Sequence, residues 1–130
     1  MDDLEQLLAA EQFSIAADTK SRAMLGHLNE LTEHHRDRCV PYRRMLDALD
    51  RPAGDAASVD DVPYLPVALF KWLELASVDK EDVFKVLRSS GTTGQVPSTI
   101  TLDVETARLQ TRALASIVTR EGRVLVGTAR

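Results

Sequence analysis

A single cysteine, Cys39, is present among 130 residues, so no disulfide can form within the chain, and that usage fits a reducing compartment. The opening "MDDLEQLLAAEQF" has no basic stretch leading into an apolar run, so a signal peptide is not expected. No apolar run reaches the length that crosses a bilayer, and a cytoplasmic location is the expectation. Positive charge is not in excess either. Sixteen Lys and Arg face 20 Asp and Glu, a formal net charge of -4, which argues against nucleic acid or a membrane surface as partner. There is no internal repeat, no low-complexity tract and no CxxC pair. Neither the GxxxxGK[ST] pattern of the Walker loop nor the dinucleotide-binding GxGxxG occurs.

What is there suits one globular domain: 44% of the residues are apolar and 28% charged. Residues 3–16 read as a short amphipathic helix with Leu4, Leu7, Leu8 and Ile15 near one face. Asp18 or Thr19 is expected to cap a longer helix to about Arg38, whose stripe is Leu25, Leu28, Leu31, His35 and Cys39. Pro41 suits the start of a third helix carrying Tyr42, Met45, Leu46 and Leu49. The Pro-, Ala-, Gly- and Asp-rich stretch 51–63 has no apolar period and reads as a linker. A helical turn is expected after Pro66. Strands are expected at 83–88 and 99–102, with Asp103 capping a further helix through Val104, Ala107, Thr111, Leu114 and Val118. "RVLVG" at 123–127 reads as a third strand.

These elements predict an α+β chain. Residues 1–50 form a helical N-terminal segment, 51–63 the linker, and 64–130 the start of an α/β sheet. Three strands cannot bury both faces of such a sheet. The expectation is therefore an incomplete domain, the opening of a larger protein, with self-association through its uncovered face.

The chemistry concentrates in "SSGTTG", residues 89–94. Gly91 and Gly94 allow positive φ and close backbone approach to a ligand. Successive N–H groups in such a loop form a concave anion site. Ser89, Ser90, Thr92 and Thr93 add hydroxyl donors, and no acidic side chain opposes an anion there. Lys85 and Arg88 lie just before the loop. Composition alone favours a plain turn between two strands, since Gly, Ser and Thr are ordinary turn formers.

"VPYLPVALFKWLELAS", "VFKVLRSSGTTGQVPSTITLD" and "ETARLQTRAL" occur in one order over 62–118. In this the chain resembles the acyl-protein synthetase family (LuxE type), within the adenylate-forming superfamily of acyl-CoA synthetases and luciferases. The resemblance implies an adenylate-forming domain with a phosphate-binding loop at 89–98. It implies ATP and Mg²⁺ as cofactors, bound through Ser89, Ser90, Gly91, Thr92, Thr93 and Gly94. The implied reaction activates a fatty or other carboxylic acid as acyl-adenylate and transfers the acyl group to a thiol. An acyl-accepting or acyl-reductase protein is the implied partner. The superfamily lysine after the loop is missing, since Gln95, Val96, Pro97 and Ser98 stand there. The ribose-binding aspartate, the adenine-site segment, the C-terminal lysine and the acceptor cysteine have no counterpart, so the isolated chain is not expected to adenylate. The alternative is a non-catalytic helical interaction module that keeps a relic loop.

Other constellations carry less. His35 and Cys39 could share a helix face as metal ligands beside His34. Zinc sites use three or four ligands, and no second pair exists. The reading is a semi-buried His and a core Cys. Adjacent Asp60 and Asp61 diverge too far for acid–base work and suit a solvated linker. Tyr64, Phe70 and Trp72 are expected to pack in a core rather than line an acyl pocket.

Overall fold

The computed structural model describes residues 3–11, 14–51, 53–89 and 96–126, with side chains over 5–11, 14–51, 53–89 and 96–118. The elements run α1 (Asp3–Ala9), α2 (Ala17–Arg38), α3 (Val40–Ala48), β1 (Lys85–Arg88), β2 (Thr99–Leu102) and α4 (Val104–Val126). Three 3₁₀ turns, Val59–Asp61, Val67–Lys71 and Lys80–Asp82, lie between α3 and β1. Helices with a two-stranded sheet make the chain α+β, as expected. It divides into two compact units, Met1–Ser77 with Arg88–Ile100, and Val78–Leu87 with Thr101–Arg130.

In the first unit the core sits at the α2–α3 elbow. Cys39 ends one helix and begins the next. Its N–H donates to the His35 carbonyl at 2.8 Å and its carbonyl accepts from Arg43 N–H at 3.0 Å. Its extended backbone (φ -116°, ψ 100°) makes the break, and Pro41 follows in the first turn of α3, where no intrahelical N–H is lost. Across the elbow Arg36 Nη2 donates to Asp47 Oδ1 at 3.1 Å. Leu46, Cys39 and Thr32 are buried, at 0%, 3% and 4% exposure. The Thr32 hydroxyl donates to the Leu28 carbonyl at 2.7 Å, so its burial leaves no orphaned group. The expected stripe holds at Leu25, Leu28 and Leu31, which are half-buried, while His35 is exposed over much of its surface with part of its ring covered.

Several boundaries differ from expectation. α1 stops at Ala9, and the Leu4 side chain lies outside the described residues. α2 begins after Ala16 with no side-chain cap. Asp18 lies instead in the first turn, where it faces the positive helix end and pairs with Arg22 at 3.3 Å. Residues 123–126 are helical, not a strand, and Gly127 lies outside the described residues. A lone strand would leave its backbone unpaired, whereas continuing α4 satisfies each N–H internally. Gly122 costs about 1 kcal/mol in the helix, too little to stop it. The aromatics are also corrected. Tyr64 and Trp72 are 82% and 71% exposed, because the elbow already encloses the apolar centre of this unit without them.

Two irregular stretches are held by backbone chemistry. At the end of α3, Arg51 N–H donates to Leu46 O at 3.1 Å and Asp50 N–H to Asp47 O at 3.2 Å. This is the Schellman pairing, with Asp50 in the left-handed position (φ 49°) that glycine usually fills. Farther on, Asn29 acts as a surrogate strand for residue 56. Its Nδ2 donates to the Ala56 carbonyl at 3.1 Å, and its Oδ1 accepts from Ala56 N–H at 3.2 Å. In the same stretch Ser58 and Asp61 form a capping box, with Asp61 Oδ2 accepting from Ser58 N–H at 3.1 Å and Ser58 Oγ at 2.7 Å. The stretch expected as a free linker is thus tied to α2, and Asp61 is a cap rather than a solvated carboxylate.

In the second unit Phe84 N–H donates to Leu102 O at 2.9 Å. Asp103 Oδ1 accepts from Thr106 N–H at 2.7 Å, the expected helix cap. Leu102 and Ala107, at 8% and 5% exposure, are the buried apolar residues among those described in this unit.

Two backbone substitutions should shift stability in opposite directions. Asp50→Gly relieves a left-handed residue and should stabilise by about 0.5–1 kcal/mol. Gly54 has φ +83°, and an added Cβ would meet the Glu33 side chain. Glu33 is exposed and can swing aside, so backbone strain dominates, and Gly54→Ala should cost about 1–2 kcal/mol. Urea unfolding midpoints of the two variants against wild type provide the check.

Candidate functional site

β1 and β2 pair as a hairpin whose closed end leads into the glycine- and hydroxyl-rich loop. β-Branched Val, Ile and Thr favour these strands, and turn formers separate them. Between the Phe84–Leu102 bond and the Ser89–Ser98 bond, β1 carries one residue more than β2. That is the count of a β-bulge, which twists a strand end.

The neck of the loop is described in detail. Ser89 N–H donates to Ser98 O at 3.0 Å, and Ser98 N–H donates to Ser89 Oγ at 2.8 Å. Ser98 is buried at 9% exposure, so its N–H requires this partner. The Ser89 hydroxyl oxygen is thereby engaged as an acceptor, and its proton stays available to donate. Of the expected ligand set, Ser89 is placed at the neck. Ser90, Gly91, Thr92, Thr93 and Gly94 lie outside the described residues. Lys85 and Arg88 are both exposed on β1. Ser98 was not foreseen as a neck partner. Its signal is a small hydroxyl residue directly after Pro97.

A second polar cluster lies in the first unit. His35 Nδ1 and Ser77 Oγ share a hydrogen bond at 2.8 Å. The His35 ring stands edge-on to His34 at 5.3 Å and to Tyr42 at 6.2 Å. Although His35 is exposed over much of its surface, burial of part of the ring, and then the charge of His34, pull its pKa below the usual 6.5. Burial pushes the Tyr42 phenol up, against a hydrogen bond to Thr32 that pulls it down. Cys39 is four residues from His35 but lies inside the elbow. Among the described residues no three of His, Cys, Asp and Glu come together as a metal site. No helix among them is long and apolar enough to cross a membrane.

The sequence profile described as Acyl-protein synthetase, LuxE, matches residues 1–125. The long-chain-fatty-acid--luciferin-component ligase of Photorhabdus luminescens is similar, with 26% identity over 100 residues that cover 75% of this chain and 84% of that protein. No solved structure matches the chain.

The histidine cluster sets a pH dependence. A folded-state pKa below that of the unfolded chain means the native state resists protonation. The stability from neutral His35 is full above the unfolded value of 6.5 and is lost as pH falls below it. The urea midpoint should therefore drop between pH 7.5 and pH 5.5. His35→Gln, which keeps an acceptor for Ser77, should flatten that drop. An unchanged slope in the variant would assign it to other groups.

Proposed function

The chain belongs to the acyl-protein synthetase family, LuxE, and from that premise we propose that its loop holds the phosphates of ATP in an acid–thiol ligase. In this reading the chain contains the opening of an adenylate-forming domain. A fatty or other carboxylic acid attacks the α-phosphorus of ATP as the bond to pyrophosphate breaks. A thiolate then attacks the acyl carbonyl, and AMP leaves. The loop's share is positioning and charge stabilisation as pyrophosphate departs.

The observation that supports this reading is the Ser89–Ser98 neck, which joins the two ends of the 89–98 segment. The residues present fit a phosphate group. No acidic side chain occurs from Ser89 to Ser98, and Arg88 is exposed at the neck. Ser89, Ser90, Thr92 and Thr93 would donate hydroxyls, and Gly91 and Gly94 would let backbone N–H groups come close. Mg²⁺, when bound with ATP, supplies countercharge to the phosphates. Cys39 is 3% exposed in the elbow, and a thiol so buried does not reach an acyl donor. The acceptor is accordingly another thiol, on an acyl-accepting or acyl-reductase protein partner or beyond these residues.

The test is binding of magnesium pyrophosphate and of ATP to the chain by calorimetry. Gly91→Ala and Thr93→Ala should each weaken binding about tenfold or more, as loss of a charge-assisted hydrogen bond does. Thr93→Ser should stay near wild type, and so should Cys39→Ala. In a protein that completes the reaction, the first two should lower acyl-adenylate formation by about 10²–10³-fold. If Gly91→Ala and Thr93→Ala both bind like wild type, the loop is a turn and the ATP reading falls.

A further inference from the structure

The second unit carries a shallow groove of about 340 Å³ between the hairpin base and α4, lined by Phe84, Ala107, Arg108, Thr111, Arg112 and Ala115. Its floor comes from the sequence period of α4. Ala107, Thr111 and Ala115 recur every four residues, so they share one face over roughly 12 Å of helix. The Thr111 hydroxyl donates to the Ala107 carbonyl at 2.8 Å, so this polar group on the groove floor is already satisfied. Phe84 forms the wall. Its backbone is fixed by the bond to Leu102, yet its side chain is 63% exposed, an apolar surface that water covers at a cost. Arg108 and Arg112 stand one helical turn apart at the groove's edge. The Arg108 guanidinium presents paired donors that match a carboxylate.

An apolar slot with arginine at its rim is complementary to one chemistry, an alkyl chain ending in a carboxylate. A bare phosphate would use the arginines and leave Phe84 uncovered, and a neutral lipid would do the reverse. We propose that this groove binds a free long-chain carboxylate, with the chain along Ala107, Thr111 and Ala115 against Phe84 and the head group on Arg108. The proposal rests on the reading that the family's acid substrate is handled by this chain, and it adds the place and the gripping residue.

The experiment titrates decanoate, octanoate, butyrate and decanol into the chain by calorimetry without nucleotide. Decanoate should bind and butyrate should not, with about fourfold tightening per added methylene between octanoate and decanoate. Arg108→Gln should weaken decanoate about tenfold and leave decanol unchanged. Ala115→Trp should fill the slot and remove both, and the smaller Ala115→Leu should weaken both. Ala115 is exposed, so the helix tolerates these side chains, and far-UV circular dichroism verifies that it does. The groove is overturned if Arg108→Gln weakens decanol as much as decanoate. It is equally overturned if both Ala115 variants keep wild-type structure and wild-type decanoate binding. Missing decanoate binding with intact pyrophosphate binding removes the groove and leaves the ligase reading. Decanoate binding in a chain that ignores pyrophosphate supports the groove and removes the ligase reading.

Discussion

Ser98 N–H donates to Ser89 Oγ while Ser89 N–H donates to Ser98 O, and these two bonds decide where the strand pair ends and the loop begins. Ser98 is buried, and a buried N–H without a partner costs about 1–3 kcal/mol. Opening the neck therefore costs more than one ordinary hydrogen bond. It would also release the loop ends and return the closure entropy that the pairing now offsets. The hydroxyls and glycines between them can act as one site only while those ends are held together. In the phosphate reading, contacts made by the loop would depend in this way on two residues at its edge.

The same device recurs wherever the chain is irregular. Asn29 pairs with both backbone groups of Ala56, Asp61 closes on Ser58, and Asp103 caps α4 through Thr106. Each puts a short polar side chain where a backbone partner is missing, a contribution of about 1 kcal/mol apiece. The described apolar core is small: Leu46 and Cys39 in one unit, Leu102 and Ala107 in the other. With so little buried area to dictate geometry, directional bonds from Ser, Asn and Asp fix the connections, and large residues such as Tyr64 and Trp72 stay outside.

What was legible in the sequence follows from which interactions are local. β2, the Asp103 cap and the place of Pro41 depend on neighbours within four residues, and each stands where pattern and propensity put it. The hydrogen bond between His35 and Ser77 spans 42 residues, and no periodicity announces it. The Asn29 clasp spans 27 and is equally silent, which is why a stretch rich in turn formers read as a linker. Asp50 hid for another reason. Its left-handed backbone follows from the Schellman closure, yet the residue is aspartate where glycine is the usual signal. The terminal "RVLV" was misread because a short apolar run fits strand and helix alike, and only the presence of a partner strand decides between them. For the loop, the composition of "SSGTTG" favoured a plain turn, and only the family resemblance points to an anion site.

The absent lysine after the loop has a structural counterpart. Ser98 follows Pro97 in the stretch where the superfamily motif carries that lysine, and here the position is 9% exposed with its N–H committed to Ser89. A lysine ammonium in such a place would need its own partner, since burying an unpaired charge costs several kcal/mol. A small hydroxyl residue avoids that cost and lets the neck close tightly. In the phosphate reading, side-chain countercharge beside that of Mg²⁺ would come from the other side of the neck. Arg88, exposed and adjacent to Ser89, is the cation nearest in sequence, and arginine keeps its charge at any physiological pH. In the phosphate reading, the cation of this loop has moved from the strand that leaves it to the strand that enters it.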